Sequence, residues 1–222
     1  MVNNMRERIL FDLLVPGSEK KRLQKPAKVF APLPAVEQPQ TIAALSKDVL
    51  DCAQCGLRSQ ATQVVFGEGN PDADLLFVGE APGAEEDAQG RPFVGEAGKL
   101  LNKILAAAEI SREEVYITNV VKCRPPKNRT PNPDEVAACS HHLQKQIALL
   151  KPRIVVCLGS LATQALIDPQ ARVSAVRGRW FTKDGLQMMA TFHPAALLRD
   201  PSRKRPVWED IQKIRDAYRL HS

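Results

Sequence analysis

Long hydrophobic runs are absent from this sequence. A membrane-spanning helix needs roughly 20 consecutive apolar residues, and no stretch of the 222 residues approaches that length. The N-terminal segment contains apolar residues, but Asp12 interrupts them and no small-residue cleavage site follows, which argues against a signal peptide. We therefore expect an intracellular, cytoplasmic protein with no membrane partner.

Periodic apolar spacing is also missing from residues 16–40, which contain five prolines and the basic run Lys20-Lys21-Arg22. This composition predicts a flexible linker or arm, preceded by a short amphipathic helix over residues 5–15. Residues 1–40 carry seven Lys/Arg and four Asp/Glu, and so supply half of the net charge of +6. The charge permits an anionic partner without requiring one. We predict a basic, Pro-rich extension over residues 1–40, a candidate for contact with DNA or a protein, and one monomeric domain over residues 41–222.

Short apolar runs alternate with helical patterns through the rest of the chain, and no internal repeat is visible. This alternation predicts an α/β fold in which helices cover both faces of a short, mainly parallel, four-stranded sheet. Thr41 is the predicted cap of the first helix. The predicted strands cover residues 75–78, 115–121, 153–158 and 188–192, and further helices are predicted from about residues 100, 133, 161 and 207.

The stretch from Leu75 to Leu105 is the most informative part of the chain. Its apolar run ends at Gly79, and a polar loop with three glycines, two prolines and four acidic residues follows before a helix begins. Ligands of open α/β sheets bind beyond the carboxyl ends of the strands. This loop is therefore a candidate active site.

Cysteine spacing gives the first strong chemical signal. Cys52 and Cys55 form a C-x2-C pair, and Cys123 and Cys139 lie far downstream, whereas Cys157 falls inside an apolar strand and reads as a buried small hydrophobe. Disulfides are not expected in an intracellular chain. Four thiolates then indicate a metal centre, and the spacing alone leaves zinc and an iron–sulfur cluster equally open.

Four segments of the chain, taken with the C-x2-C pair, form a recognisable set: GEAPGAEEDAQGRPFVGEAGKLL, TNVVKCRPPKNRTPNPDEVAAC, CLGSLATQAL and FHPAALLR. Together they resemble the family 4 uracil-DNA glycosylases, the iron–sulfur type of that superfamily, and the resemblance covers about residues 41–220. It implies an α/β/α sandwich, a 4Fe-4S cluster on Cys52, Cys55, Cys123 and Cys139, and hydrolysis of the bond between uracil and deoxyribose in double- or single-stranded DNA. Free uracil and an abasic site are the implied products.

The resemblance also implies roles at the base. Phe93 matches the aromatic residue that stacks on the flipped uracil, and Asn119 matches the residue that reads its edge, donating to O4 and accepting from N3–H. His193 matches the histidine that donates to O2, where negative charge accumulates as the base leaves. The peptide groups expected against the base are those of Glu80, Ala81 and Pro82.

The water-activating residue is less well marked. Many relatives outside this family have an Asp at the position that matches Ala81, and that carboxylate is absent here. Glu86 is the first candidate to replace it and Glu80 the second, since both are carboxylates in the loop beside the expected glycosidic bond. A nearby anion alone would also stabilise an oxocarbenium-like transition state.

DNA contacts are expected from two further loops. Leu197 or Leu198 would wedge into the space left by the flipped nucleotide, and Gly159 with Ser160 would hold a phosphate at a helix N-terminus. Arg199 lies beside the first of these loops, and other basic residues add positive surface for the DNA backbone. These other residues are Arg203, Lys204, Arg205, Lys122, Arg124, Lys127 and Arg129.

Two alternatives remain open from the sequence. The chain could be a non-catalytic metal-cluster protein that binds DNA, or a superfamily glycosylase with altered base specificity. Relatives that capture DNA covalently carry a reactive histidine in an inserted basic loop, and no histidine lies between Cys123 and Cys139. This absence argues against covalent capture.

Overall fold

A mixed sheet runs through the centre of the computed structural model, which describes residues 41–220; the expectations for the N-terminal extension lie outside these residues. The sheet has six strands in the order β1-β3-β2-β4-β6-β5. The four central strands are parallel, and both edge strands are antiparallel to their neighbours. The strands are β1 (Glu68–Gly69), β2 (Leu75–Gly79), β3 (Tyr116–Asn119), β4 (Ile154–Leu158), β5 (Trp180–Lys183) and β6 (Leu186–Thr191).

The prediction of four strands was wrong in number, because it missed both edges. β1 has only two residues and no apolar pattern, so nothing in its sequence marks it as a strand. β5 is mostly exposed, but the Asp184-Gly185 pair that joins it to β6 is a recognisable hairpin signal. Both residues have positive φ, 52° and 81°, as a two-residue hairpin turn requires. The four predicted strands form the parallel centre of the sheet.

Helices cover both faces of the sheet, as predicted. Thr41 caps the first helix, its hydroxyl oxygen accepting a hydrogen bond from the Ala44 N–H at 3.1 Å. Among residues 41–220, no helix is long and apolar enough to cross a membrane. The helices are α1 (Ile42–Leu50), α2 (Ala84–Gln89), α3 (Glu96–Ala107), α4 (Pro133–Leu150), α5 (Ser160–Leu166), α6 (Val173–Val176), α7 (Pro194–Arg199) and α8 (Lys204–Arg219).

Two hydrophobic clusters follow from the alternation of side chains along the strands. Leu76 and Val78 of β2 belong to one cluster with residues of α1, α4 and α5. Leu75 and Phe77 belong to the other with residues of α3, α7 and α8. Cys157 is fully buried in β4, which confirms its reading as a core residue. Because the four central strands are parallel, β2 and β3 end at the same edge of the sheet. The segment after β2, predicted as a loop, contains the short helix α2.

Candidate active site and cysteine cavity

An open pocket of about 480 Å³ lies at the carboxyl ends of the parallel strands. Its walls come from the segment after β2, the end of β3, the Pro-rich loop before α4, and the residues between β6 and α7. This is the position that the rule for open α/β sheets predicts. The sequence-predicted site residues that line it are Glu80, Ala81, Pro82, Glu86, Phe93, Asn119, His193 and Arg199.

The Phe93 ring and the Asn119 side chain meet beside Gly79. A Cβ atom at Gly79 would lie 2.6 Å from Phe93 Cζ and would also overlap Asn119 Oδ1. Any larger residue at position 79 would therefore displace both side chains. Asn119 is 1% exposed, and its Oδ1 has no hydrogen-bond partner among the described residues. A buried acceptor without a partner is costly unless a ligand supplies the donor.

Phe93 is held in an uncommon backbone conformation, with φ of 52°. The Arg112 guanidinium donates to the carbonyl oxygens of Pro92 at 2.7 Å and Phe93 at 3.3 Å. Glu68 pairs with the same guanidinium at 2.7 Å and fixes its orientation. Gly98 provides room for this turn, because a Cβ there would overlap the Phe93 carbonyl group. The aromatic ring is thus positioned by contacts to its own main chain.

The Glu86 carboxylate secures the residues that follow Phe93. Its Oε1 accepts hydrogen bonds from the N–H groups of Val94 at 2.9 Å and Gly95 at 2.8 Å, and its Oε2 accepts from Gly83 N–H at 3.1 Å. Three backbone donors thus engage both oxygens of this carboxylate. Glu86 therefore has a fixed position in the pocket wall and holds the Phe93 loop against α2.

His193 has a defined tautomer. Its Nδ1 accepts a hydrogen bond from the Ala195 N–H at 3.1 Å, which places the ring proton on Nε2. Burial lowers the pKa of His193 to about 4, and the nearby Arg199 charge adds to this effect, while Glu86 opposes it. The ring centroid lies 5.3 Å from that of Phe93. His193 is consequently a neutral hydrogen-bond donor at ordinary pH.

Glu80 differs from Glu86 in its surroundings. It lines the pocket and is partly buried, and this burial raises its pKa above the ordinary value for Glu, although a hydrogen bond with Thr130 and the Arg199 charge oppose the shift. No backbone N–H donor to its carboxylate is seen among the described residues. The side chain remains available for a ligand or water.

The Pro-rich loop supplies a pocket residue that the sequence reasoning missed. Asn128 lines the pocket with a positive φ of 54°, and its Oδ1 accepts a hydrogen bond from Arg124 Nε at 2.7 Å. That bond leaves the amide N–H groups for other acceptors. Arg129 lines the same wall but pairs with Glu135 through two hydrogen bonds of 2.8 and 2.7 Å. Asn tolerates the left-handed conformation better than most residues, so an Asn in a proline-rich loop is the sequence signal that could have singled out Asn128.

Two of the predicted DNA contacts need correction. Leu197 is 2% exposed and packs in the core with α3 and α8, so it is not an exposed wedge, whereas Leu198 is 49% exposed. Lys122 was expected on the positive surface, but its side chain is fully buried. Ser160 is exposed at the start of α5, beside Gly159 with φ of 86°, and Arg199 is exposed at the pocket edge.

Four cysteines line one small, mainly apolar cavity on the other side of the Pro-rich loop. Cys52 and Cys55 come from the turn after α1, Cys123 from the loop after β3, and Cys139 from α4. Burial raises the pKa of Cys139, and it raises that of Cys123 to about 12, with the other thiols adding to both shifts. The four residues line the same cavity, so their side chains are neighbours in the fold.

Single-ion coordination is not formed within residues 41–220, where no three His, Cys, Asp or Glu side chains are grouped closely enough to hold one metal ion. The donor set nevertheless suits a larger centre, since a cluster of several irons separates its cysteine ligands more widely than one zinc ion does. Soft thiolates are the ligands that iron–sulfur clusters use. His142 Nε2 lies 3.2 Å from Cys52 Sγ and adds a polar group to the wall.

Comparisons with known proteins identify a superfamily that matches most of the chain. The family model described as "Uracil DNA glycosylase superfamily" matches residues 66–212. A type-4 uracil-DNA glycosylase of Thermotoga maritima is 48% identical over 177 residues, which cover 77% of this chain and 91% of that protein. The type-4 enzyme of Archaeoglobus fulgidus is 42% identical over 76% of this chain and 88% of its own. A type-5 uracil-DNA glycosylase of Pyrobaculum aerophilum is 34% identical over 58% of this chain and 64% of its own.

Proposed function

The chain belongs to the uracil DNA glycosylase superfamily, among its type-4 members, and we propose that it removes uracil from DNA by hydrolysing the N-glycosidic bond. The observation that carries the proposal is the buried, unpartnered Oδ1 of Asn119, a residue that lines a pocket together with Phe93 and the neutral His193. An acceptor, an aromatic face and a donor are the groups that a flipped uracil requires.

Recognition of the base follows from these three side chains. The uracil ring stacks on Phe93, and the Asn119 amide accepts from N3–H and donates to O4. His193 donates from Nε2 to O2, because its Nδ1 is occupied by the Ala195 N–H. The peptide groups of Glu80, Ala81 and Pro82 form the adjoining wall. Because Gly79 has no side chain, the Phe93 ring and the Asn119 amide can both pack against its backbone.

Bond cleavage uses donors and anions in the same pocket. As the bond to N1 breaks, the His193 donor stabilises the charge on O2 more strongly than it stabilises the ground state. Glu86 supplies a carboxylate that stabilises the sugar cation, and its oxygens are already engaged by three backbone N–H donors. Glu80 has a raised pKa and no backbone donor in the described chain, which favours it for positioning and activating water. Asn128 lines the same pocket, and its amide is proposed to help Glu80 position this water.

DNA binding involves the rim of the pocket. Leu198 is the exposed apolar residue after His193 and fills the space of the flipped nucleotide. Gly159 and Ser160 bind a backbone phosphate, and Arg199 contributes positive charge at the rim. The extension over residues 1–40 is a further candidate for contact with DNA, and the glycosylase domain comprises residues 41–222.

The four cysteines are proposed to hold a 4Fe-4S cluster. These residues would hold the cluster, which would cross-link α1, α4 and the start of the Pro-rich loop. Ligation requires the thiols to lose their protons, and the bonds to iron would offset the burial that raises the pKa of Cys123 and Cys139. Ligation by Cys123 and Cys139 would thereby fix the position of Asn128 and Arg129 relative to α4.

The direct test of the function is incubation with a labelled oligonucleotide that contains one uracil, followed by alkaline cleavage at abasic sites. We expect cleavage at the uracil position in single-stranded DNA and in duplexes, and none in the thymine-containing control. Tight binding without any cleavage would instead support a non-catalytic DNA-binding protein. Cleavage at a different deaminated base only would support altered specificity.

The pH dependence of excision should report Glu80. Because burial raises its pKa, the single-turnover rate is expected to rise with pH as Glu80 ionises, with an acid limb above the ordinary Glu pKa of about 4.3. Burial lowers the pKa of His193 to about 4, so the ring becomes charged only towards the acid end of this limb. Glu80→Gln should lower the rate by about 10²-fold and flatten the acid limb.

Glu86→Gln is the matched comparison, since it removes a carboxylate that also holds the Phe93 loop. An amide retains one oxygen acceptor but presents N–H groups to the backbone donors, so free uracil should inhibit this variant less effectively. Glu80→Gln should keep parental inhibition by uracil. Should Glu86→Gln alone abolish the acid limb, Glu86 is the base and the two roles are exchanged.

Loss of one cysteine tests the cluster. Purified protein is expected to be yellow-brown, and Cys123→Ser should lose the colour and unfold at a lower temperature, with the loop over residues 122–132 more accessible to protease. Cys157→Ser is the control, because this thiol lies in β4 outside the cavity, and it should keep the colour. Colourless parental protein with stoichiometric zinc after anaerobic purification would contradict the iron–sulfur assignment.

A further inference from the structure

Lys122 is a buried lysine between the two sites described above. Its side chain is 1% exposed, and its Nζ lies 2.7 Å from Thr118 Oγ1, 2.7 Å from the carbonyl oxygen of Asn119 and 2.5 Å from Gln146 Oε1. Three acceptors match the three N–H donors of an ammonium group. The Lys122 side chain is therefore fully hydrogen-bonded inside the protein and does not reach a DNA phosphate.

The main chain of Lys122 is held as firmly as its side chain. Its N–H donates to Cys139 Sγ at 3.3 Å, and its carbonyl oxygen accepts from Val65 N–H at 2.8 Å. One residue thus joins the cysteine cavity to the end of β3. A buried charge is costly, and a hydrophobic residue of similar size is often as stable. Packing alone therefore does not explain why a lysine occupies this position.

The surrounding polar groups form a complete network. Gln146 donates from Nε2 to the Phe66 carbonyl oxygen at 2.9 Å, and Thr118 donates to the same oxygen at 2.8 Å. These bonds orient the Gln146 and Thr118 oxygens towards Lys122. The one acceptor of Nζ that belongs to a pocket residue is the carbonyl oxygen of Asn119.

Asn119 is held through its backbone and not through its side-chain oxygen. It is the last residue of β3, and its Oδ1 has no partner among residues 41–220. The adjacent Gly79 limits the side chain by contact, and its carbonyl oxygen accepts a hydrogen bond from Val120 N–H at 2.9 Å. The peptide between Asn119 and Val120 is therefore held from both ends, and the hydrogen bond from Lys122 Nζ to the Asn119 carbonyl oxygen is the one that a side chain supplies.

We propose that Lys122 is a positioning residue for base recognition, which fixes the Asn119 amide towards uracil from behind the pocket and ties this point to Cys139 through its main chain. The inference rests on the proposed function, because it assigns Asn119 to the uracil edge. Displacement of a binding group by about 1 Å typically costs about 10²-fold in rate.

The test replaces Lys122 with methionine, which keeps the length and removes all three donors. Single-turnover excision should fall by about 10²-fold, and free uracil should become a weaker inhibitor, while binding to abasic-site DNA stays unchanged. In an Asn119→Ala background the same Lys122→Met change should have little further effect, since the group that it positions is gone. Thr118→Val is the control: it disturbs the buried network, leaves the contact between Lys122 and Asn119, and should keep parental inhibition by uracil.

Two results would overturn the inference: a parental rate and parental uracil inhibition in Lys122→Met, or an equal fold-loss in the parental and Asn119→Ala backgrounds. Should Lys122→Met not fold, Lys122→Gln is measured in the same two backgrounds, because its amide retains a donor and tolerates burial. If the parental enzyme itself releases no uracil, the proposed function fails. If it releases uracil normally and the two backgrounds agree, the role of Lys122 alone fails.

Discussion

Replacing His193 with alanine is expected to slow single-turnover release of uracil by about 10²- to 10³-fold, with little change in binding to DNA. The ring is the donor to O2, and the departing base carries its negative charge there. Loss of one preorganised donor therefore affects the transition state more than the bound substrate. The measurement is excision of uracil from single-stranded DNA with enzyme in excess, together with a titration of abasic-site DNA.

The size of this loss should not depend on pH near neutrality. Burial lowers the pKa of His193 to about 4, so the ring is neutral at higher pH and becomes charged only as the pH falls through that value. The ratio of parental to His193→Ala rates should stay constant from about pH 6 to about pH 9. A ratio that grows steeply towards pH 6 would show that an imidazolium ion is the donor. His193→Asn provides a control, since its amide oxygen can still accept from the Ala195 N–H.

The parallel centre of the sheet was predictable because its strands are short, apolar and followed by polar residues. Asn119 ends β3 and His193 follows β6 closely, and parallel strands end at the same edge of a sheet. The sequence therefore predicts that both residues lie at that edge. The cysteines required more, because Cys52 and Cys123 are far apart in the sequence. Their convergence on one cavity depends on how α1 packs against α4, which spacing alone does not specify.

What the sequence did not reveal depends on contacts between side chain and backbone. Nothing in the composition of the loop distinguishes Glu86, with three backbone donors, from Glu80, which has none among the described residues. The burial of Leu197 beside the exposed Leu198 follows from the rotation of α7, a helix too short to show a period. Lys122 was misread because lysines are mostly exposed. Its burial depends on Gln146, 24 residues further along the chain.

Asn119→Asp is expected to have the other large effect, because it changes how the base edge is read while preserving the shape of the side chain. The parental amide offers uracil a donor for O4 and an acceptor for N3–H. Aspartate offers two acceptors, so O4 would face a carboxylate oxygen in a buried site. Losing one bond and opposing two acceptors should cost at least about 3 kcal/mol. This corresponds to a loss of about 100-fold or more in the rate of excision.

The same change should improve the relative fit of cytosine, which presents an amino donor where uracil has O4. Complete reversal also requires a proton between cytosine N3 and the carboxylate. The ratio of cytosine to uracil excision should therefore increase more than the absolute rate of cytosine excision. Asn70→Asp is the matched control, because Asn70 lies in a turn outside the pocket and its Oδ1 accepts a hydrogen bond from the Asp72 N–H that aspartate would retain. The control should excise uracil at the parental rate. If Asn119→Asp also does so in single-stranded DNA, the unpartnered oxygen of Asn119 does not face the base, and the site built around it is assigned to the wrong residue.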